Sequence, residues 1–319
     1  VNDICGFADP EMPRVCREHD AAVSKMASPP DLERPGAIED VDWAARSAAS
    51  PERSRSYADD IYEALSMNGL TDKTILDPAF GGWSEAKTHA DDRETFRRLR
   101  EFRGYGRPLL VSINRKSFLK TIAGRSTEEA LPVSLAATSM AVERGAHVIR
   151  THDVAETRDA ALIGAEFARD RVRSGGDPVG VEELDVTTVR EARRHLDRVG
   201  ADAAGADRDV AAAAVVRTYE LSGLDDEAVG ALRAATADGS AAAFALGDPE
   251  RTRTATARSV TDGGNDPDSG NEPDGADATS GRRGLLVGTS AAVESVRASV
   301  SGVSEPLDAA LAAIDTDAR

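Results

Sequence analysis

The chain of 319 residues carries 56 Asp and Glu against 39 Lys and Arg, a formal net charge of -17, with 40% hydrophobic residues. That length allows two domains with real cores, and the negative balance argues against nucleic-acid binding, which needs Lys/Arg patches to displace counterions. No apolar stretch approaches the roughly 18 residues of a membrane span, and Cys5 and Cys16 show neither CxxC nor metal spacing, so they read as reduced thiols of a cytoplasmic protein.

In chain order, residues 1–4 form a short strand candidate and residues 22–26 a second. Residues 55–67 read as a helix, with Tyr57, Ile61 and Leu65 at i, i+4, i+8 and Asn68-Gly69 as the stop signal. A strand over 74–77 precedes a charged helix over 91–102 that closes at Gly104. The apolar run 109–113 is a fourth strand. Ser126 and Glu129 offer a capping box before a helix that ends near Gly145, and residues 147–150 form a fifth strand. A helix over 155–173 follows. Strands alternating with helices are the mark of βαβ units and a parallel sheet.

Residues 173–183, with the string Ser174-Gly175-Gly176-Asp177-Pro178, read as a linker. Beyond it, Ala-rich helical pieces are expected at 186–199, 208–221 and 225–235, then a strand at 284–289 and an amphipathic helix at 291–300. Residues 184–258 and 282–319 are grouped as one small second domain. Between Thr261 and Gly281 there are six acids, five glycines and no Lys or Arg. Such a composition cannot bury enough surface to fold, so 259–281 are expected to be a disordered acidic insert.

Four of the strand candidates end in chemistry-bearing strings. They are Val1-Asn2-Asp3-Ile4, then Asp77-Pro78-Ala79-Phe80-Gly81, then Asn114-Arg115-Lys116-Ser117-Phe118, and Arg150-Thr151-His152-Asp153. In a parallel β/α barrel the strand ends at one rim supply the catalytic groups. Arg150 and His152 alternate along one strand and so share a face.

In order and spacing these strings resemble dihydropteroate synthase, of the pterin-binding barrel family. Leu131 to Ala137, Arg144-Gly145-Ala146 and Ala155 to Ala160 add to the likeness, which runs from Val1 to about Arg169. The resemblance implies an incomplete (β/α)8 TIM-barrel-type α/β fold over 1–172, holding only the later strands. A small α/β accessory domain is similar to one fused to some archaeal and bacterial members. The likeness begins at the family's fourth strand, so the chain is expected to be a fragment, inactive alone, of a longer active protein. Acidic, Lys-poor composition (five Lys in all) resembles halophilic archaeal proteins, where high salt screens self-repulsion.

The implied reaction condenses a pterin methyl diphosphate with 4-aminobenzoate, giving dihydropteroate and pyrophosphate. A carboxylate accepts two N–H bonds from a guanidine-like edge and an amide both donates and accepts. By the resemblance Asp77 and Asn2 hold the pterin, with Lys116 donating to its heteroatoms. Arg150 and His152 bind the diphosphate, whose departure fixed positive charge assists, and Lys116, Arg150 and His152 are the expected catalytic groups. Asn114 and Ser117 are expected at the 4-aminobenzoate, where a helix start offers free N–H groups. Mg²⁺ is implied as cofactor, held mainly by the diphosphate, with no protein metal ligand in this stretch. The resemblance also allows a homodimer and an upstream folate-ligase domain.

The string departs from the family at Asn114, where Ser is usual, and at Ser112 and Ala79, where Gly is usual. Trp83 stands near a family Phe, and either it, Met26 or Phe80 lines the slot or packs the core. A methyltetrahydrofolate-binding methyltransferase domain and an inactive truncated remnant are the alternative readings.

Overall fold

The computed structural model describes residues 1–27, 56–81, 87–174, 181–201, 210–237, 241–247 and 282–314. The chain divides into two compact units, Val1–Asp185 and Val186–Arg319.

The first unit is α/β. Strands β1 (Asn2–Asp3), β2 (Val23–Met26), β3 (Thr74–Asp77), β4 (Leu110–Val111) and β5 (Val148–Ile149) run parallel, side by side in chain order. A parallel bridge from Leu76 to Leu109 joins β3 to β4. Helices lie between successive strands: α1 (Glu11–Glu18), α2 (Tyr57–Ser66), α3 (His89–Arg97), then α4 (Ser117–Ala123) and α5 (Leu131–Glu143), with α6 (Val154–Glu166) after β5. Parallel strands place all their carboxyl ends on one edge, so the four chemical strings meet there by topology.

Sequence sets these elements directly. Side chains alternate across a strand, and the register pairs Asn2 with Ser24 and Ile75, and Met26 with Asp77. Asn2, Met26 and Asp77 therefore share one face. The other face carries Leu76, buried with Ile61 and Leu65 of α2. Tyr57, Ile61 and Leu65 are all buried, as their helical spacing predicts. The capping box expected at Ser126 and Glu129 forms, each backbone N–H donating to the other's side chain at 3.3 Å.

The helix expected over 91–102 is α3 followed by a 3-10 turn over Leu99–Tyr105, closed at Gly106, whose φ of 61° suits glycine. The helix expected to reach residue 173 stops at Glu166. Instead, β6 (Arg173–Ser174) pairs antiparallel with β7 (Val181–Glu182). The described ends of the expected linker are anchored: Arg169 pairs with Glu183 at 2.6 Å and with Asp185 at 2.8 Å, and Arg100 holds Asp185 at 2.9 Å.

The second unit has a three-stranded antiparallel sheet in which β10 (Arg282–Thr289) lies between β8 (Val216–Leu224) and β9 (Ala242–Leu246). Helices α7 (Val189–Val199), α8 (Val210–Ala213), α9 (Asp226–Ala235), α10 (Ser290–Val300) and α11 (Glu305–Ala312) complete it. Leu221, Leu224, Leu232, Leu286, Val293, Val300, Leu307 and Leu311 form its core. The helix expected over 208–221 is wrong from residue 216 on. The Ala run reads as helical, but Leu221 and Leu224 are buried by pairing with β10, and tertiary pairing overrides propensity. The expected insert at 259–281 lies outside the described residues. No helix among the described residues is long and apolar enough to cross a membrane.

Candidate active site

Asp77 ends β3 fully buried. Its Oδ1 accepts the Ala79 N–H at 2.9 Å, a short turn that aims the carboxylate back along the loop. The turn demands a left-handed residue, and Ala79 sits there with φ 61°. The second oxygen, Oδ2, lies 3.1 Å from Arg150 Nη2. This contact is one of charge, since Oδ2 receives no directed hydrogen bond from the described residues. Burial pushes the Asp77 carboxyl above its usual range, while the Ala79 N–H, Arg150, Lys116 and Lys87 oppose that rise.

Arg150 follows β5, and its backbone N–H extends the ladder to Val111 O at 3.0 Å. Its guanidinium crosses the carboxyl edge of the sheet, where Nη1 donates to Asn2 Oδ1 at 3.0 Å. One side chain thus ties the outermost strand β1, the central strand β3 and the end of β5.

Lys116 precedes α4 at its N-cap position. Its ammonium passes over Gly81, whose lack of a Cβ keeps that space clear. Burial and then the neighbouring Arg150 lower the Lys116 pKa; Asp92 and Asp77 oppose. Beneath it lies a pair that sequence reading missed. Lys87 Nζ meets Asp92 Oδ1 at 2.7 Å with both side chains almost wholly buried, and both Asp92 oxygens accept the Gly81 N–H at 3.2 Å. The signal in the sequence was only a Lys and an Asp five residues apart, one turn of loop before a helix.

The loop after β4 is bound to the loop after β5. Asp153 accepts from Asn114 Nδ2 at 2.9 Å and from Arg115 Nε and Nη2 at 2.9 and 3.1 Å. Arg115, at φ 54°, also donates to the carbonyls of Thr127 and Glu128. These bonds, Arg115 first, hold the Asp153 carboxyl below its usual range. Asn114 Oδ1 is buried without a hydrogen-bond partner among the described residues.

The structure therefore brings Asn2 and Asp77 each into contact with Arg150, with Lys116 inside the field of Asp77 and Arg150. Asn114 is turned to Asp153. Ser117 is the exposed first residue of α4, and His152 is exposed, with no hydrogen bond or ion pair to the described residues. Phe80 is core, packed against Phe96 and Phe118, and Met26 packs half-buried against that core. Trp83 lies outside the described residues.

The pterin binding enzyme family matches residues 1–152. Dihydropteroate synthase of Escherichia coli K12 is 29% identical over 166 residues, 51% of this chain and 55% of that protein. A probable bifunctional folylpolyglutamate synthase/dihydropteroate synthase of Haloferax volcanii is 31% identical over 187 residues, 56% of this chain and 20% of that protein. A solved dihydropteroate synthase of Coxiella burnetii, in complex with pteroic acid, is 26% identical, with TM-score 0.40 over 52% of this chain and 59% of that one. The chain thus spans about half the length of the E. coli relative. Over residues 1–152 the chain is similar to the pterin binding enzyme family, and the relatives it resembles bear the name dihydropteroate synthase, alone or joined to folylpolyglutamate synthase.

Proposed function

We propose that the first unit is part of a dihydropteroate synthase, an arc of a β/α barrel whose carboxyl edge condenses a pterin methyl diphosphate with 4-aminobenzoate. The observation that carries this reading is the convergence of Asn2, Asp77 and Arg150, with Lys116 beside them, at that edge. Asp77 Oδ2, buried and without a directed hydrogen bond from the described residues, is an acceptor matched to the N–H pair of an aminopyrimidinone edge, and Asn2 supplies an amide for the same ring.

The amine nitrogen of 4-aminobenzoate forms a bond to the pterin methylene carbon. The bond from that carbon to the diphosphate oxygen breaks, and the amine gives up a proton. Charge therefore develops on the diphosphate, where Arg150 supplies a cation and the exposed His152 a ring N–H donor. Lys116, its ammonium partly desolvated, reaches the ring heteroatoms.

Among the described residues no group of three or more His, Cys, Asp or Glu is placed to hold a metal ion. Mg²⁺ in this reading takes its oxygens chiefly from the substrate diphosphate, as that small cation commonly does. The second unit is an accessory domain, and a folate-ligase domain joined to the parent polypeptide is the arrangement that the name of the Haloferax relative suggests.

The test is binding of the pterin diphosphate and of methyltetrahydrofolate to the chain. The diphosphate is expected to bind the more tightly, and Asp77→Ala to abolish its binding. Equal binding of both ligands, or binding indifferent to Asp77→Ala, would overturn the reading.

A further inference from the structure

The pterin-binding pair of the proposed function is bridged by an arginine. The Arg150 guanidinium is a planar group rich in N–H, and it lies between Asn2 Oδ1 at 3.0 Å and Asp77 Oδ2 at 3.1 Å. An aminopyrimidinone edge has the same character, being flat and presenting N–H groups in one plane. Asp77 is fully buried whereas the Arg150 side chain is 43% exposed. Asp77 therefore stays, and Arg150 is the partner able to move. No other side chain gives Oδ2 an ion pair among the described residues, so its nearest compensating charge, ahead of Lys116 and Lys87, is the arginine that the reaction also needs at the diphosphate.

We infer that Arg150 is a displaceable stand-in for the substrate's heterocycle: it latches onto Asn2 and Asp77 in the free chain and is released toward the diphosphate when the pterin edge takes its place. This rests on the proposed function and adds an order of events. The heterocycle must evict the guanidinium, which lowers its apparent affinity by the fraction of chains in the latched state. The diphosphate then recovers the loss by giving Arg150 a new anion. Heterocycle and diphosphate are thereby read together, and a pterin lacking the diphosphate meets the latch without relieving it.

The experiment compares the full chain with Arg150→Ala, using diphosphate-free 6-hydroxymethylpterin and its diphosphate as probes in calorimetry. The latch requires the variant to bind the diphosphate-free pterin about tenfold more tightly, the release from one charge-assisted contact, and to lose most of the preference for the diphosphate form. Unchanged or weaker binding of diphosphate-free pterin by Arg150→Ala, with wild type binding it, overturns the latch and leaves the proposed function standing. Failure of both chains to bind either pterin overturns both. A second, ligand-free readout is the Arg150 side-chain N–H resonances, assigned by their loss in Arg150→Ala. They are expected to be those of a clamped guanidinium in the wild type and of a freely rotating one in Asp77→Asn. Free rotation in the unliganded wild type would overturn the latch by itself.

Discussion

The ammonium of Lys116 lies 2.6 Å from the point where a Cβ on Gly81 would begin. The loop after β3 is thus shaped around a lysine that arrives from the loop after β4. A methyl at Gly81 would push that lysine away from Asp77, and the φ of 108° would strain any L side chain there. Gly81→Ala is expected to weaken binding of the pterin diphosphate about tenfold or more. Lys116→Ala should lose a comparable amount, and the double variant little beyond either, because both remove the same contact. Additive losses measured by calorimetry would show that Gly81 acts on something other than Lys116.

Ala79 holds a left-handed conformation, φ 61°, in the turn that closes on Asp77 Oδ1. That conformation costs a non-glycine residue about 1–2 kcal/mol, partly offset by the smaller entropy an Ala loses on folding. Ala79→Gly is therefore expected to stabilise the first unit by about 0.5–1 kcal/mol, a rise of a few degrees in melting temperature for a unit of this size. A lower melting temperature would mean that the buried Ala79 methyl packs for more than its backbone costs.

Much of this was legible beforehand for a physical reason. The strand expected at 74–77 is β3 itself, and those at 22–26, 109–113 and 147–150 each contain their observed strand; the run at 109–113 is legible because a parallel strand buried on both faces reads as an apolar run. Asp77 and Arg150 could be placed at one edge because parallel topology puts all strand ends there. What stayed hidden depended on partners distant in sequence. Asp153 binds Asn114 and Arg115 across two loops. Residues 216–224 follow an Ala run, and only pairing with β10 makes them a strand. Nothing local marks Lys25 as buried.

The Lys87–Asp92 pair is almost wholly buried at 2.7 Å, and Asp92 also holds the Gly81 N–H. Removing one partner of a buried pair leaves an uncompensated charge, at a cost of about 3–5 kcal/mol. Asp92→Ala is expected to destabilise the first unit by that order and to loosen the loop beneath Lys116. Lys87→Met combined with Asp92→Leu should recover much of the stability but not the binding, since the Gly81 N–H stays without its acceptor. Denaturant titration and pterin binding of the three variants separate these effects. Recovery of both properties in the double variant would refute a positioning role for Asp92.

Lys25 sits on β2 with no exposed surface, its Nζ donating to the carbonyls of Leu65, Met67 and Gly69 at the end of α2. Those carbonyls lack helical partners, so the lysine caps the helix from the neighbouring strand. Burial pushes its pKa down to about 8, against an opposing pull from Asp3. An unfolded chain holds this lysine near 10.4. Below pH 8 both states carry the proton, and the cost of the buried charge is constant at roughly 3 kcal/mol. Between pH 8 and 10.4 the unfolded state binds more protons than the folded one, so this group makes stability rise with pH; above 10.4 its contribution is level. Lys25→Met removes that dependence while leaving three carbonyls uncapped. The stability of the wild type minus that of Lys25→Met is therefore expected to increase from pH 7.5 to 10, read by denaturant titration at each pH. A difference that stays flat or falls over that interval would show that burial does not depress the pKa of this amine, which would then stay charged in the folded chain over the whole range.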